Sequence, residues 1–170
     1  MPTAKSRLLL LNRLEEGGSP LFSFYSFKNG GTSLQAQLIV CDRITHNEQV
    51  KGHQLGTVLN HQMIPVLPYA LDLYILLKIF DLPQGKSIDT HFEFNNDRGE
   101  RLGKTAMTVL RNYRADDQIP GVDKDFALTL VLTEPGIVHI KCFADGEEAA
   151  WYPLTIRLQE DELQKTSSTG

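Results

Sequence analysis

The sequence predicts an all-β protein: an antiparallel β-sandwich of about seven to eight strands, preceded by an N-terminal strand or hairpin. Three observations predict it. Apolar residues recur at every second position in several segments, giving each segment one dry face and one wetter face. Turn-forming residues punctuate these segments at roughly 10–15-residue spacing. Windows of helical period are few.

The elements follow in order. Leu34, Ala36, Leu38 and Val40 alternate with Gln35 and Gln37, the pattern of a half-buried strand. Val50 to Asn60 is a looser strand candidate broken by Gly52 and Gly56, glycines of the kind that mark a bulge or a close backbone approach. Leu71, Leu73, Ile75, Leu77 and Ile79 form the longest period-two run. Leucine-rich sequence also favours helix, but the strict alternation and the flanking Pro68 and Pro83 favour a strand. Ile88, Thr90, Phe92 and Phe94 alternate with Asp89, His91 and Glu93, and Asn95 to Gly99 supplies a chain reversal. Thr105 to Leu110 resumes the extended pattern, and a polar loop from Asn112 to Val122 contains Pro120-Gly121. Phe126 to Leu132, Ile137 to Ala144 and Tyr152 to Leu158 complete the set, with Glu134-Pro135-Gly136 and Asp145-Gly146 as the turns between them.

Residues 1–31 read as an aromatic-rich extension, 32–159 as the sandwich and 160–170 as a polar tail. Within the extension, Arg7 to Leu14 and Leu21 to Lys28 flank a Gly-Gly-Ser-Pro turn and make a candidate hairpin. Phe22, Phe24, Tyr25 and Phe27 are the candidate partner-contact residues; they either extend one sheet or dock on another copy.

Composition narrows the function classes. Hydrophobic residues make up 41% of the 170, the level of a folded chain. Seventeen basic against 21 acidic residues give a net charge of −4, which gives nucleic-acid binding no electrostatic support. Arg98, Arg101, Lys104, Arg111 and Arg114 form a basic run balanced by nearby acids. Lys5-Ser6-Arg7 followed by Leu8 to Leu11 imitates a secretory signal, but its apolar core stops at Asn12-Arg13, so the expected address is the cytoplasm. There Cys41 and Cys142 stay reduced, as two small buried apolar residues.

Catalytic signatures are missing: there is no Gly-x-Ser-x-Gly elbow, and Lys28 to Ser33 lacks phosphate-loop spacing. His46, His53 and His61 are spaced like neither a zinc knuckle nor a helical metal pair, although across a hairpin two of them could converge with Asp42 or Glu48. His91 and His139 are expected on the wetter strand faces. Asp116, Asp117, Asp123 and Asp125 read as a solvated loop around Pro120-Gly121. No catalytic, cofactor-binding or metal-ligating residue is assigned, and no cofactor is expected.

The stretch from Leu38-Ile39-Val40-Cys41-Asp42 through the Gly52/Gly56 segment to Phe80, with the ending Glu134-Pro135-Gly136 through Asp145-Gly146-Glu147-Glu148, resembles a family of small uncharacterised bacterial proteins. That resemblance spans Leu34 to Leu158 and implies an immunoglobulin-like sandwich, with no site residues to carry over. Antibody-type domains themselves match poorly, because Trp151 follows Cys142 instead of lying between the cysteines. The resulting expectation is a non-catalytic cytoplasmic binding or scaffolding module acting on a protein partner or a second copy. The alternative is a small metal-dependent hydrolase or small-ligand-binding sandwich using His and acidic loop residues.

Overall fold

The computed structural model describes residues 25–29, 32–49 and 52–159, and the chain is all-β. A four-stranded antiparallel sheet has the order β1 (Tyr25–Asn29), β2 (Thr32–Cys41), β6 (Tyr69–Phe80), β10 (Gly121–Leu132). A second sheet runs β5 (His61–Ile64), β12 (Glu147–Leu158), β11 (Gly136–Ala144), β7 (Ser87–Asn95). The outer edge of β7 is shared by β8 (Arg101–Lys104) at one end and β9 (Thr108–Arg111) at the other. A separate hairpin joins β3 (Ile44–Asn47) to β4 (Gly52–Leu55).

Alternation places the core. Leu71, Leu73, Ile75, Leu77 and Ile79 of β6 are all buried, so the leucine-rich run is a strand. They face Ile88, Phe92, Ile140, Leu154 and Ile156 of the other sheet in one apolar cluster. The rings of Phe92 and Phe126 meet edge to face at 4.9 Å, the favoured aromatic geometry. Tyr152 carries its hydroxyl into this interior and donates to the Leu59 carbonyl at 2.9 Å.

The strand count exceeds the expected seven or eight, because twelve strands occur among the described residues. Three of the additional ones, β3, β5 and β8, are four-residue strands too short to show alternation. The expected single strand from Thr105 is interrupted because Thr105 enters the ladder itself: Phe92 N–H donates to Thr105 Oγ1 at 2.9 Å. One pairing, β5 with β12, is parallel. β1 belongs to the sheet although it precedes the boundary drawn at residue 32, and the Arg7 to Leu14 half of the expected hairpin lies outside the described residues, as does the tail from 160. Asp123 and Asp125 sit on β10, not in a loop: Asp123 is fixed there by Lys78 and Arg114, each at 2.9 Å.

Gly56 is a close backbone approach, since a Cβ there would collide with the Asp42 carboxylate that accepts from Thr57 N–H at 2.8 Å. The β3–β4 hairpin folds against the outer face of the four-stranded sheet. His53 on β4 reaches Asp125, which shares a cross-strand row with Leu76 and Ile39, both buried on that face. Among the described residues no helix is long and apolar enough to cross a membrane.

Candidate functional site

The outer face of the larger sheet carries a groove lined by Asn95, Asn96, Asp97, Gly99, His139, Lys141, Glu148 and Trp151, with a volume of about 380 Å³. Its floor is strand. Trp151 on β12 pairs with Lys141 on β11, and the neighbouring His139 pairs with Asn95 on β7. The His139 and Trp151 rings lie 5.7 Å apart and tilted by 50°.

A bulge builds one side. In a regular strand Glu148 and Trp151, three positions apart, would point to opposite faces. The β11–β12 register shifts between Cys142 and Phe143, Ala149 and Ala150 are both buried, and Glu148 and Trp151 thereby line the same groove. Lys141 Nζ then donates to Glu148 Oε2 at 2.8 Å, so these two charges neutralise each other.

The β7–β8 turn makes the other wall, and a polar network fixes it. Buried Asn96 donates through Nδ2 to Glu100 at 2.6 Å and Glu134 at 2.9 Å. Its Oδ1 accepts from the backbone N–H groups of Arg98 at 3.1 Å and Glu100 at 2.8 Å. Arg98 spans Glu100 and Glu134 at 2.9 and 2.7 Å. The Arg98 guanidinium, then Asn96, holds the Glu134 carboxyl below its ordinary value, whereas at Glu100 the Asn96 amide is the larger cause and Arg98 the second. Asn95, beside this turn, keeps a buried Oδ1 with no hydrogen-bond partner.

The histidines are divided among several surfaces. His46 and His53 do converge across the β3–β4 hairpin, with ring centroids 5.3 Å apart, and the carboxylate that His53 Nε2 meets, at 3.6 Å, is Asp125. His61 sits on β5 opposite Thr155. His91 lies on the outer strand face beside Glu93 but is buried there: its ring stacks on Phe143 at 5.0 Å, and its Nε2 is 3.7 Å from Glu93. His53 and His91 thus lie on opposite outer faces of the sandwich. Among the described residues no group of three or more His, Cys, Asp or Glu could hold a metal ion. Both cysteines are free and buried, and burial pushes the Cys142 thiol up to about 12.

The basic run is absorbed by local partners. Arg101 and Lys104 meet Glu93 at 3.6 and 3.3 Å, Arg111 lies over the Tyr113 ring at 5.4 Å, and Arg114 pairs with Asp123. Of the candidate contact residues, Phe22 and Phe24 lie outside the described residues, and Tyr25 and Phe27 lie on β1 opposite Ala36 and Leu34. The groove itself was not assembled from the sequence. Its one legible signal was the break in alternation at Ala149-Ala150 between Glu148 and the sole tryptophan.

No family model matches the chain, and no curated protein does. Among solved structures it is similar to a β-glucosidase from Listeria innocua in complex with glucose, at 10% identity and TM-score 0.44, over 75% of this chain and 17% of that one. It is similar also to a bacterial adhesin from Mobiluncus mulieris, at 12% identity and TM-score 0.38, over 69% of this chain and 48% of that one. A third is the alkylpurine DNA glycosylase AlkC of Pseudomonas fluorescens, at 11% identity and TM-score 0.35, over 71% and 30% of the two chains. The chain spans less than half the length of each of these neighbours, and none bears on its activity.

Proposed function

We propose that the chain is a non-catalytic binding module of the cytoplasm that acts through protein–protein contacts, built as the immunoglobulin-like sandwich of the bacterial family its sequence resembles. The observation that carries this reading is the open side of the sandwich. β10 is an outer strand twelve residues long, and its free edge is paired with no strand among the described residues. Its second half, Phe126 to Leu132, has no charge, Pro or Gly to discourage pairing. Alongside it run β8 and β9: Arg114 meets Asp123 near the start of β10, and Leu130 lies over Gly103 near its end.

Large apolar side chains border this side, with Val131 58% exposed, Met107 59%, Val109 64%, Ile119 71% and Tyr113 81%. An unpaired strand edge flanked by such residues suits the addition of an extended segment from a partner. Among the described residues β1 is the outer strand at the other end of the same sheet, and Phe22, Phe24, Tyr25 and Phe27 are a second contact in this reading. The neutralised basic run supports a protein partner over nucleic acid.

Light scattering across a concentration series, on the full chain, tests the self-association form. The native chain is expected to associate, and Val131→Lys to abolish association by placing a charge on the edge. A native chain that stays monomeric throughout, and forms no cross-linked adduct through β10 with any host protein, overturns the reading.

A further inference from the structure

We infer that the groove on the larger sheet binds a neutral saccharide, with a pyranose ring laid on the Trp151–His139 floor. This inference concerns a different surface from the open edge, and either can fail without the other. A pyranose has an apolar C–H face and a rim of hydroxyls, so its site must offer an aromatic surface beside planar polar groups. The groove offers both. Trp151 and His139 supply rings 5.7 Å apart, and Asn95, Asp97 and Glu148 supply amide and carboxylate oxygens around them.

The charge balance disfavours an anion, with the Asp97 carboxylate left as an acceptor for hydroxyls. Lys141 is spent on Glu148 at 2.8 Å, which leaves no unengaged cation in the groove for a phosphate or carboxylate. The Asn95 Nδ2 donates to the Gly99 carbonyl at 3.4 Å while its Oδ1 has no partner, which leaves an acceptor at the groove wall for a sugar hydroxyl. The volume of about 380 Å³ suits a mono- or disaccharide rather than a folded polypeptide.

Rigidity completes the case. The wall from Asn95 to Gly99 is pinned by Asn96 and Arg98 to Glu100 and Glu134, and the floor is hydrogen-bonded sheet. A weakly held polyol gains most from a surface that need not be ordered on binding.

Trp151 is the sole tryptophan, so intrinsic fluorescence of the full chain reports on this groove directly. The titrants are glucose, galactose, N-acetylglucosamine, cellobiose and maltose, with glucose 6-phosphate and choline as charged comparators, followed by a neutral-glycan array. The expected result is a saturable change with at least one neutral saccharide. Asp97→Ala and His139→Ala are expected to weaken it about tenfold or more, and Tyr113→Ser to leave it unchanged. Asp97 is exposed, so its variant tests the site without endangering the fold. A response to choline or glucose 6-phosphate alone, no binding across panel and array, or full affinity in both groove variants would each overturn the inference.

Discussion

The two ends of β7 share one edge yet are finished in opposite ways. At the β8 end the exposed side chains are charged and paired: Arg98 with Glu100 and Glu134, Arg101 and Lys104 with Glu93. At the β9 end Met107, Val109 and Tyr113 stand exposed, and beside them lie Arg111 over the Tyr113 ring, the Arg114–Asp123 pair and the buried Asn112 amide. The first arrangement fixes a wall and leaves a small groove beside it. The second leaves apolar surface beside an open strand edge. In the two proposals above, the first end serves a small polar ligand and the second a partner's strand.

The largest expected effect separates the two anchoring asparagines. Asn96 uses both its amide donor and its acceptor, touching two carboxylates and two backbone N–H groups. Asn96→Ala is expected to cost about 2–3 kcal/mol in urea denaturation, since it removes four hydrogen bonds made by a buried amide. Asn112 is as deeply buried, but its side chain makes two bonds, donating to the Leu82 carbonyl at 2.7 Å and accepting from Arg114 N–H at 2.8 Å. Asn112→Ala is expected to cost about 1–2 kcal/mol. Equal losses would mean that the β8 end is no more firmly built than the β9 end. The saccharide response should disappear with Asn96→Ala and survive Asn112→Ala in the folded fraction.

A pH series sharpens the contrast. Glu100 and Glu134 have folded pKa values held below the ordinary 4.5. Such groups contribute stability that is fully present above that value and is lost as pH falls through the lower folded values. The native chain should therefore lose stability below about pH 4.5 more steeply than Arg98→Gln, which removes a cause of both shifts. Raising salt should narrow the difference, because the cluster is exposed. Parallel acid profiles for the two chains would show that the network holds nothing.

The sequence made the long strands legible for a simple reason. Ile137 to Ala144 buries one face, and Leu34 to Val40 and Leu71 to Ile79 bury one face along their whole length and the other only around Gln37, Ile39 and Leu76, so alternation records the continuous face. β3, β5 and β8 are four residues long, and pairing in such short segments is decided by distant partners. The start of β10 looked like loop because Asp123 and Asp125 are charged; their partners Lys78, Arg114 and His53 come from other segments of the chain. The groove was hidden for the same reason. His139 and Trp151 come together only across the β11–β12 ladder, and Glu148 joins them only because Ala149-Ala150 shifts the register.

The smallest effect on stability is expected at the apolar end. Val109→Lys and Met107→Ser replace exposed side chains, so unfolding free energy should change by no more than about 0.5 kcal/mol. Binding of a hydrophobic dye, and any concentration-dependent association, should nevertheless fall, because exposed apolar surface is what both report. A loss of stability well beyond that margin would mean that Met107 and Val109 help hold β9 against β7. They would then belong to the fold, and the contrast between the two ends of β7 would reduce to a difference in composition.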